Sequence, residues 1–376
     1  MPEHPLWTIT ALTIPEREPY LKKLLTSLDA APLDAPAEVL VVYNAEVREG
    51  HYDIEERIRG WSKLPLTVLF NGGDACIGSG RALQLNSCKT PLICFVDDDV
   101  TLHGDILPAL GAALRTHPLG LVGVRSYVED TLTAFKPRAE IPSVERNGMR
   151  YVQVQGMLAA GYASLLREVG GFNPRRRFWG EWTELNLRLW RNGFPTGYQI
   201  DAGYLRHWEQ APNSPTRSLE GRERHVLWGL MCTALEYDAV DITEATATFW
   251  RLVESRYLTY SFGDDLSFRN LLKTMMELMP QLSSEWGRIQ AFRETTLAHP
   301  FSFMPFHPLT DEDVKRVVAH AAKRIRPYRE SAFASATRTS VRRVAGVALT
   351  RVVSGRLGRV QDAMSRASAS MRRWAN

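Results

Sequence analysis

Long apolar runs are missing from this sequence. No stretch approaches the roughly 20 apolar residues that span a bilayer, and the first twenty residues lack the basic segment and apolar core of a secretory leader. The reading is a cytoplasmic protein. Cysteine is scarce as well. The four present, Cys76, Cys88, Cys94 and Cys232, show no CxxC spacing, which argues against a disulfide scaffold or a zinc site and for thiols in a reducing compartment. The net charge of +4 is too mild to name a partner by itself. Internal repeats and long low-complexity segments are also lacking.

What is present is ordinary globular composition, with 44% hydrophobic and 23% charged residues in 376. That length suits two domains, or one large domain with a helical extension. Charge is unevenly spread. From Ser331 to Asn376 there are nine Arg and no Lys against one acid, Asp362. Val341–Arg373 reads as a basic amphipathic helix or a tail, which permits peripheral contact with an anionic membrane or with nucleic acid, or simple packing on the rest of the chain.

The first third alternates apolar strands with helical spacing. Strands are expected at Leu6–Ile14, Glu38–Asn44, Leu66–Phe70, Leu92–Val96 and Leu119–Val124, and helices at Pro19–Leu28, Gly80–Ser87 and Gly104–Arg115. Further strands are expected around Tyr151–Gln155, Gly156–Leu166 and Thr196–Ile200. A helix is expected at Glu181–Asn192, and a mainly helical region from about Ser218. This order implies an α/β fold with a mostly parallel sheet and helices on both faces, plus a helical C-terminal region. The division expected is 1–230, 231–330 and a basic segment at 331–376.

Ligands of such sheets bind beyond the carboxyl ends of the strands. Asn44, the loop Asn71–Arg81 and the consecutive aspartates Asp97, Asp98 and Asp99 share that address. The loop is glycine-rich and ends in Arg81, which suits a phosphate, although it is neither a GxxxxGK[ST] loop nor a clean GxGxxG. Three adjacent carboxylates repel one another unless a cation or donors intervene. Mg²⁺ or Mn²⁺ would supply that compensation; a solvated acidic turn before the next helix is the plainer alternative. Glu181 and Glu184 open a helix three residues apart. Either they complement its dipole, or one of them, held among Trp179 and Trp182, works as a general base. His207 comes after this helix and the expected strand Thr196–Ile200 and, alone, would read as structural.

Taken in order, these pieces resemble the family 2 glycosyltransferases of the GT-A (Rossmann-like) fold over roughly residues 6–230. The carriers are Leu6–Ile14, Val41–Asn44, Asn71 with Gly80-Arg81, Phe95–Asp99, Gly170-Gly171-Phe172, Gly180–Leu185 with Arg188-Leu189 and Gly193, and His207. The resemblance implies inverting transfer of a sugar from a nucleotide-diphosphate sugar to an acceptor hydroxyl. It implies Mn²⁺ or Mg²⁺ on Asp99, with Asp97 and His207 as further metal ligands, and Asp97 or Asp98 reaching the donor ribose. Asn44, Asn71 and Arg81 are expected at the donor, and Glu181, or less favourably Glu184, as the base.

Two departures stand out. Tyr43-Asn44 replaces an aspartate that often ends the second strand, and Trp182 replaces the second acid of the catalytic pair. The acceptor can be a glycan, a lipid-linked glycan, a natural product, a protein or modified nucleic acid. The competing readings are a nucleotidyltransferase, against which the glycine-free Thr13–Arg17 turn speaks, and a catalytically degenerate transferase acting as a binding protein.

Overall fold

The computed structural model describes residues 5–334 apart from 47–49, 73–75, 125–126, 130–142, 153–156, 177–179, 200–202, 209–218, 238–242, 245, 248–249, 251–267, 295–299, 302 and 304–308. The expected basic helix Val341–Arg373 and Trp179 therefore lie outside the described residues. His4–Arg329 form one compact unit, and Met1–Glu3 with Glu330–Asn376 a second. All elements below belong to the first.

A nine-stranded sheet has the order β3-β2-β1-β4-β10-β6-β11-β9-β8. Its left half, β3 (Leu66–Phe70), β2 (Ala37–Tyr43), β1 (Trp7–Thr13) and β4 (Leu92–Asp97), is parallel throughout. These strands are nearly continuous in apolar residues. Trp7, Ile9, Val41, Val42, Phe95 and Val96 are buried, as expected for strands covered on both faces. β10 (Leu158–Tyr162) inserts antiparallel between β4 and β6 (Leu121–Val124). β11 (Thr196–Gln199) pairs parallel with β6, and the hairpin β8 (Val144–Arg146) and β9 (Met149–Tyr151) closes that edge. β9 and β10 thus run against the other seven strands, and the expected mostly parallel sheet is present.

Helices α1 (Glu18–Ala30), α2 (His51–Arg59), α3 (Ile77–Ser87), α4 (Ile106–Thr116), α5 (Ala163–Glu168) and α6 (Glu181–Arg191) connect these strands. α1 buries Leu21, Leu24, Leu25 and Leu28, a clean helical spacing. Beyond the sheet lie α7 (Leu219–Tyr237), α8 (Phe268–Glu294) and α9 (Asp311–Arg324). α7 runs unbroken through residue 230. None of the described helices is long and apolar enough to cross a membrane. All four cysteines are buried thiols.

The structure corrects several local expectations. Gly156–Leu166 is not one strand: Tyr162 ends β10, and Ala163–Glu168, rich in good helix formers, turns at once into α5. The aspartates do not lead directly towards a helix. They form a tight turn into β5 (Val100–His103), part of a second sheet ordered β5-β12-β7 with β12 (Tyr204–His207) and β7 (Tyr127–Glu129). α2 and β12 also lie where no element was expected.

Candidate active site

Two sheets meet at the aspartate turn. In the large sheet Leu12 of β1 stands opposite Asp97 of β4. In the small sheet His207 of β12 stands opposite Val100, one residue past Asp99. The Trp208 amide also donates to the Asp99 carbonyl at 2.8 Å. A residue 108 positions away in the chain is therefore delivered to the triplet by strand pairing alone. His207 Nε2 lies 3.4 Å from Asp99 Oδ2.

The carboxylates are compensated by two guanidiniums. Arg81, buried on α3, donates to Asp97, whose side chain keeps about a third of its exposure. Arg17 bridges the other two: its Nη1 lies 2.8 Å from Asp98 Oδ1, and its Nη2 donates to Asp99. Burial pushes the Asp98 carboxyl well above the ordinary carboxylate range. Arg17 pulls it down, and Asp99 and Asp97 push it further up. Burial works against the Arg17 charge too, but Asp98, Asp99 and Asp97 together raise its pKa. Arg17 had no role in the sequence reading. Its signal was hidden because it depends on β1 lying beside β4, which no local pattern reveals.

A divalent ion holds N and O ligands at roughly 2.0–2.2 Å, so two ligands of one ion stand about 3 Å apart. The separation of Asp99 Oδ2 and His207 Nε2 fits such a pair. Among the described residues no group of three His, Cys, Asp or Glu is placed to hold a metal ion, so the structure brings Asp99 and His207 together as a pair and does not gather Asp97 with them into one set of ligands.

Arg81 rests on an aromatic platform. Its guanidinium lies 5.7 Å from the Trp182 ring and 5.9 Å from Phe95. Trp182 packs edge-on against Phe172 (4.9 Å) and Phe95 (5.7 Å). Trp182 is thus a buried wedge of α6 against β4 that also faces the arginine.

α3 starts where it does because small residues allow a close approach. A side chain at Gly78 would meet the carbonyls of Asn173 and Arg176 at 2.4 and 2.6 Å. The Gly78 amide instead donates to the Arg176 carbonyl. Asn44 and Asn71 brace this corner: Asn71 Nδ2 donates to Asn44 Oδ1 at 2.5 Å and to Ser79 Oγ at 3.0 Å, and Asn44 Nδ2 donates to the Cys76 carbonyl. Tyr43 points elsewhere. Its hydroxyl donates to Glu18, which also receives Arg57.

Glu181 and Glu184 have different surroundings. Gly180 enters α6 with φ of +90°, a conformation costly for other residues. Glu181 is buried, and its Oε2 has no hydrogen-bond partner. Burial raises its carboxyl pKa, against the pull of a bond from its own amide and the Arg81 charge, while Asp97 adds to the rise. Glu184 is closed off. Arg188 Nη2 and Nε donate to its two oxygens at 2.5 and 2.9 Å, and the Tyr237 hydroxyl of α7 also donates to it. Nearby, Arg176 pairs with Glu236 of α7 at 2.5 Å. These buried pairs tie α7 to the start of α6.

No known protein-family model matches the sequence, and no curated protein matches it. Solved structures do match. The structure of GalNAc-T7 with UDP, GalNAc and Mn²⁺ superposes with a TM-score of 0.51 at 13% identity, over 74% of this chain and 57% of that one. Residues 1–349 of S. aureus TarS match with a TM-score of 0.47 at 17% identity, over 86% and 89%. The mannosyltransferase PcManGT from Pyrobaculum calidifontis, in complex with GDP-Man and Mn²⁺, matches at 0.48 and 18%, over 77% and 85%. At such identities the likeness is one of fold, and the chain has the GT-A fold.

Proposed function

We propose that this chain is a glycosyltransferase that moves a sugar from a nucleotide-diphosphate sugar to an acceptor hydroxyl with inversion at the anomeric carbon. The observation that carries the reading is the position of Glu181. It is a buried carboxyl with an unbonded oxygen, near enough to Arg81 and Asp97 that both act on its charge. A base thus adjoins a diphosphate-type cradle, which is the pairing that single-displacement sugar transfer needs.

In this reading Glu181 takes the proton of the acceptor hydroxyl. The oxygen attacks the anomeric carbon from the face opposite the nucleotide, and the bond to the diphosphate breaks. Arg81, fixed by Asp97 and the Trp182 platform, offsets charge on the leaving group. Asp97 is the most open of the three aspartates and the one best placed to reach the donor, with Asp98 behind it. Asn44 and Asn71 shape the donor side by holding the strand ends against α3. Asp99 and His207 would hold Mg²⁺ or Mn²⁺, which when bound supplies further positive charge to the diphosphate. Glu184 is assigned a structural role because Arg188 and Tyr237 occupy its oxygens. The fold neighbour crystallised with UDP and Mn²⁺ supports the nucleotide-donor and metal parts of this reading by analogy of fold; inversion rests on Glu181.

A thermal-shift screen tests it. Nucleoside diphosphates with Mn²⁺ should raise the melting temperature, because a ligand that binds only the folded state stabilises it. Stabilisation by nucleoside triphosphates alone would favour nucleotidyl transfer, and no response to any nucleotide would favour the degenerate binding protein.

A further inference from the structure

Arg17 stands where a metal ion's charge is otherwise needed. It sits in the 3₁₀ turn Pro15–Arg17 directly after β1, with its amide bonded to the Ile14 carbonyl at 3.0 Å. The turn fixes the side chain against the aspartates, and only 8% of the residue is exposed. Its two Nη groups are spent on Asp98 and Asp99, while Nε is buried with no hydrogen-bond partner. The oxygen it takes on Asp99, Oδ2, is the one that faces His207 Nε2. An ion seated between Asp99 Oδ2 and His207 Nε2 would therefore share that oxygen with a guanidinium.

The charge count points the same way. Within the triplet, three carboxylates against Arg17 and Arg81 leave at most one negative charge unbalanced, with the Glu181 carboxyl beside them. A divalent ion arriving alone meets a largely compensated cluster and a nearby cation. A diphosphate arriving alone adds its charge to a cluster that is already net negative. The two together satisfy each other and the cluster. A guanidinium binds phosphate oxygens with the same fork it offers carboxylates, so an incoming diphosphate gives Arg17 a second partner and relieves Asp99.

We propose that Arg17 is a resident counter-cation that makes metal binding depend on the nucleotide: it suppresses binding of the free ion and yields Asp99 when a diphosphate engages it. This rests on the metal and donor reading above and adds a residue to it. Arg17 acts on the ion through Asp99 and on the diphosphate directly. The coupling is reciprocal, so the ion must tighten the nucleotide by the same factor that the nucleotide tightens the ion.

The test is Mn²⁺ titration followed by electron paramagnetic resonance, on the full chain, with no nucleotide and with UDP or GDP. The wild type should bind Mn²⁺ weakly alone and at least about tenfold more tightly with the matching diphosphate. Arg17→Gln should bind free Mn²⁺ about tenfold more tightly than the wild type, the effect of removing one nearby unit charge at water-like dielectric, and should show a smaller nucleotide effect. Arg17→Lys should stay close to the wild type. A role confined to folding would weaken metal binding and cannot produce a gain. Equal free-Mn²⁺ affinity in the wild type and Arg17→Gln overturns the proposal and leaves the metal reading standing. If Arg17→Gln does not fold, the wild type still decides: tight binding of free Mn²⁺, unchanged by either diphosphate, overturns it. No Mn²⁺ bound to any form under any condition overturns the metal reading and this proposal with it.

Discussion

Glu181 and Glu184 stand three residues apart at the start of one helix, and their carboxyls are in opposite states. Glu184 receives Arg188 and Tyr237 on oxygens that are fully buried, while Glu181 keeps an oxygen with no hydrogen-bond partner beside Arg81 and Asp97. The first arrangement is that of a structural pair. The second is a poorly solvated carboxylate that gains by taking a proton, which is what a general base does.

Replacing Glu181 by Gln separates function from stability. Transfer should fall by about 10²–10⁴-fold, the usual contribution of a positioned base. Stability should move the other way. The folded pKa of Glu181 is raised by burial above its unfolded value near 4.3, so its contribution is fully present below that value. It is lost as pH rises through the folded pKa, above which the buried charge weighs against folding. Urea unfolding of both proteins at pH 4.5 and pH 8 should show Glu181→Gln gaining on the wild type as pH rises. A constant difference across that range would contradict the burial argument.

The same shift sets the pH dependence of the reaction. The base must be unprotonated, so kcat/KM should rise with pH through the raised Glu181 pKa. The acidic limb should lie above the ordinary carboxylate range. A profile already flat at pH 5 would show a base with an unshifted pKa and would point away from Glu181.

Breaking the Glu184 pair should harm the fold first. In Glu184→Ala the buried Arg188 guanidinium loses its carboxylate while its bonds to the Val169 and Gly171 carbonyls remain. A loss of about 3–5 kcal/mol is expected for one partner of a buried pair. Tyr237→Phe removes only a hydrogen bond to a charged group and should cost about 1.5–3 kcal/mol. Denaturant melts of the two variants test the ranking. A Glu184→Ala protein as stable as the wild type would reopen Glu184 as a functional acid.

Trp182 permits a sharper contrast. Putting an acid there, as the resembled family has, should not improve activity. In Trp182→Glu a buried charge would replace the ring packed on Phe95 and Phe172 and would take away a π face of Arg81. Losing the ring alone costs about 3–5 kcal/mol, and the unpaired charge adds to that. A folded Trp182→Glu protein with raised activity would mark the tryptophan as a defect in the site.

Much of the fold could be read from the chain because its signals are local. β3 falls on Leu66–Phe70 as its pattern requires, and α6 opens at Glu181 and ends before Gly193. The candidate residues Asp97–Asp99, Arg81 and Glu181 could be singled out because each sits at or near the end or start of such an element. What escaped depends on contacts distant in sequence. β5 and β12 are four-residue strands that exist by pairing with each other and β7. Arg17 acquires its partners only because β1 lies beside β4. Nothing near Glu184 in sequence announces Tyr237, fifty-three residues on.

The central claim is sugar transfer from a nucleotide donor at the aspartate turn, and its most direct measurement is product release. The purified chain is incubated with UDP- and GDP-sugars and Mn²⁺, and the phosphate products are identified for the wild type, Asp99→Ala and Glu181→Gln. The account predicts that the wild type releases nucleoside diphosphate from one donor class, that both variants stay folded and release almost none, and that EDTA silences the wild type. Release of pyrophosphate, or undiminished nucleoside diphosphate from Asp99→Ala, would contradict it.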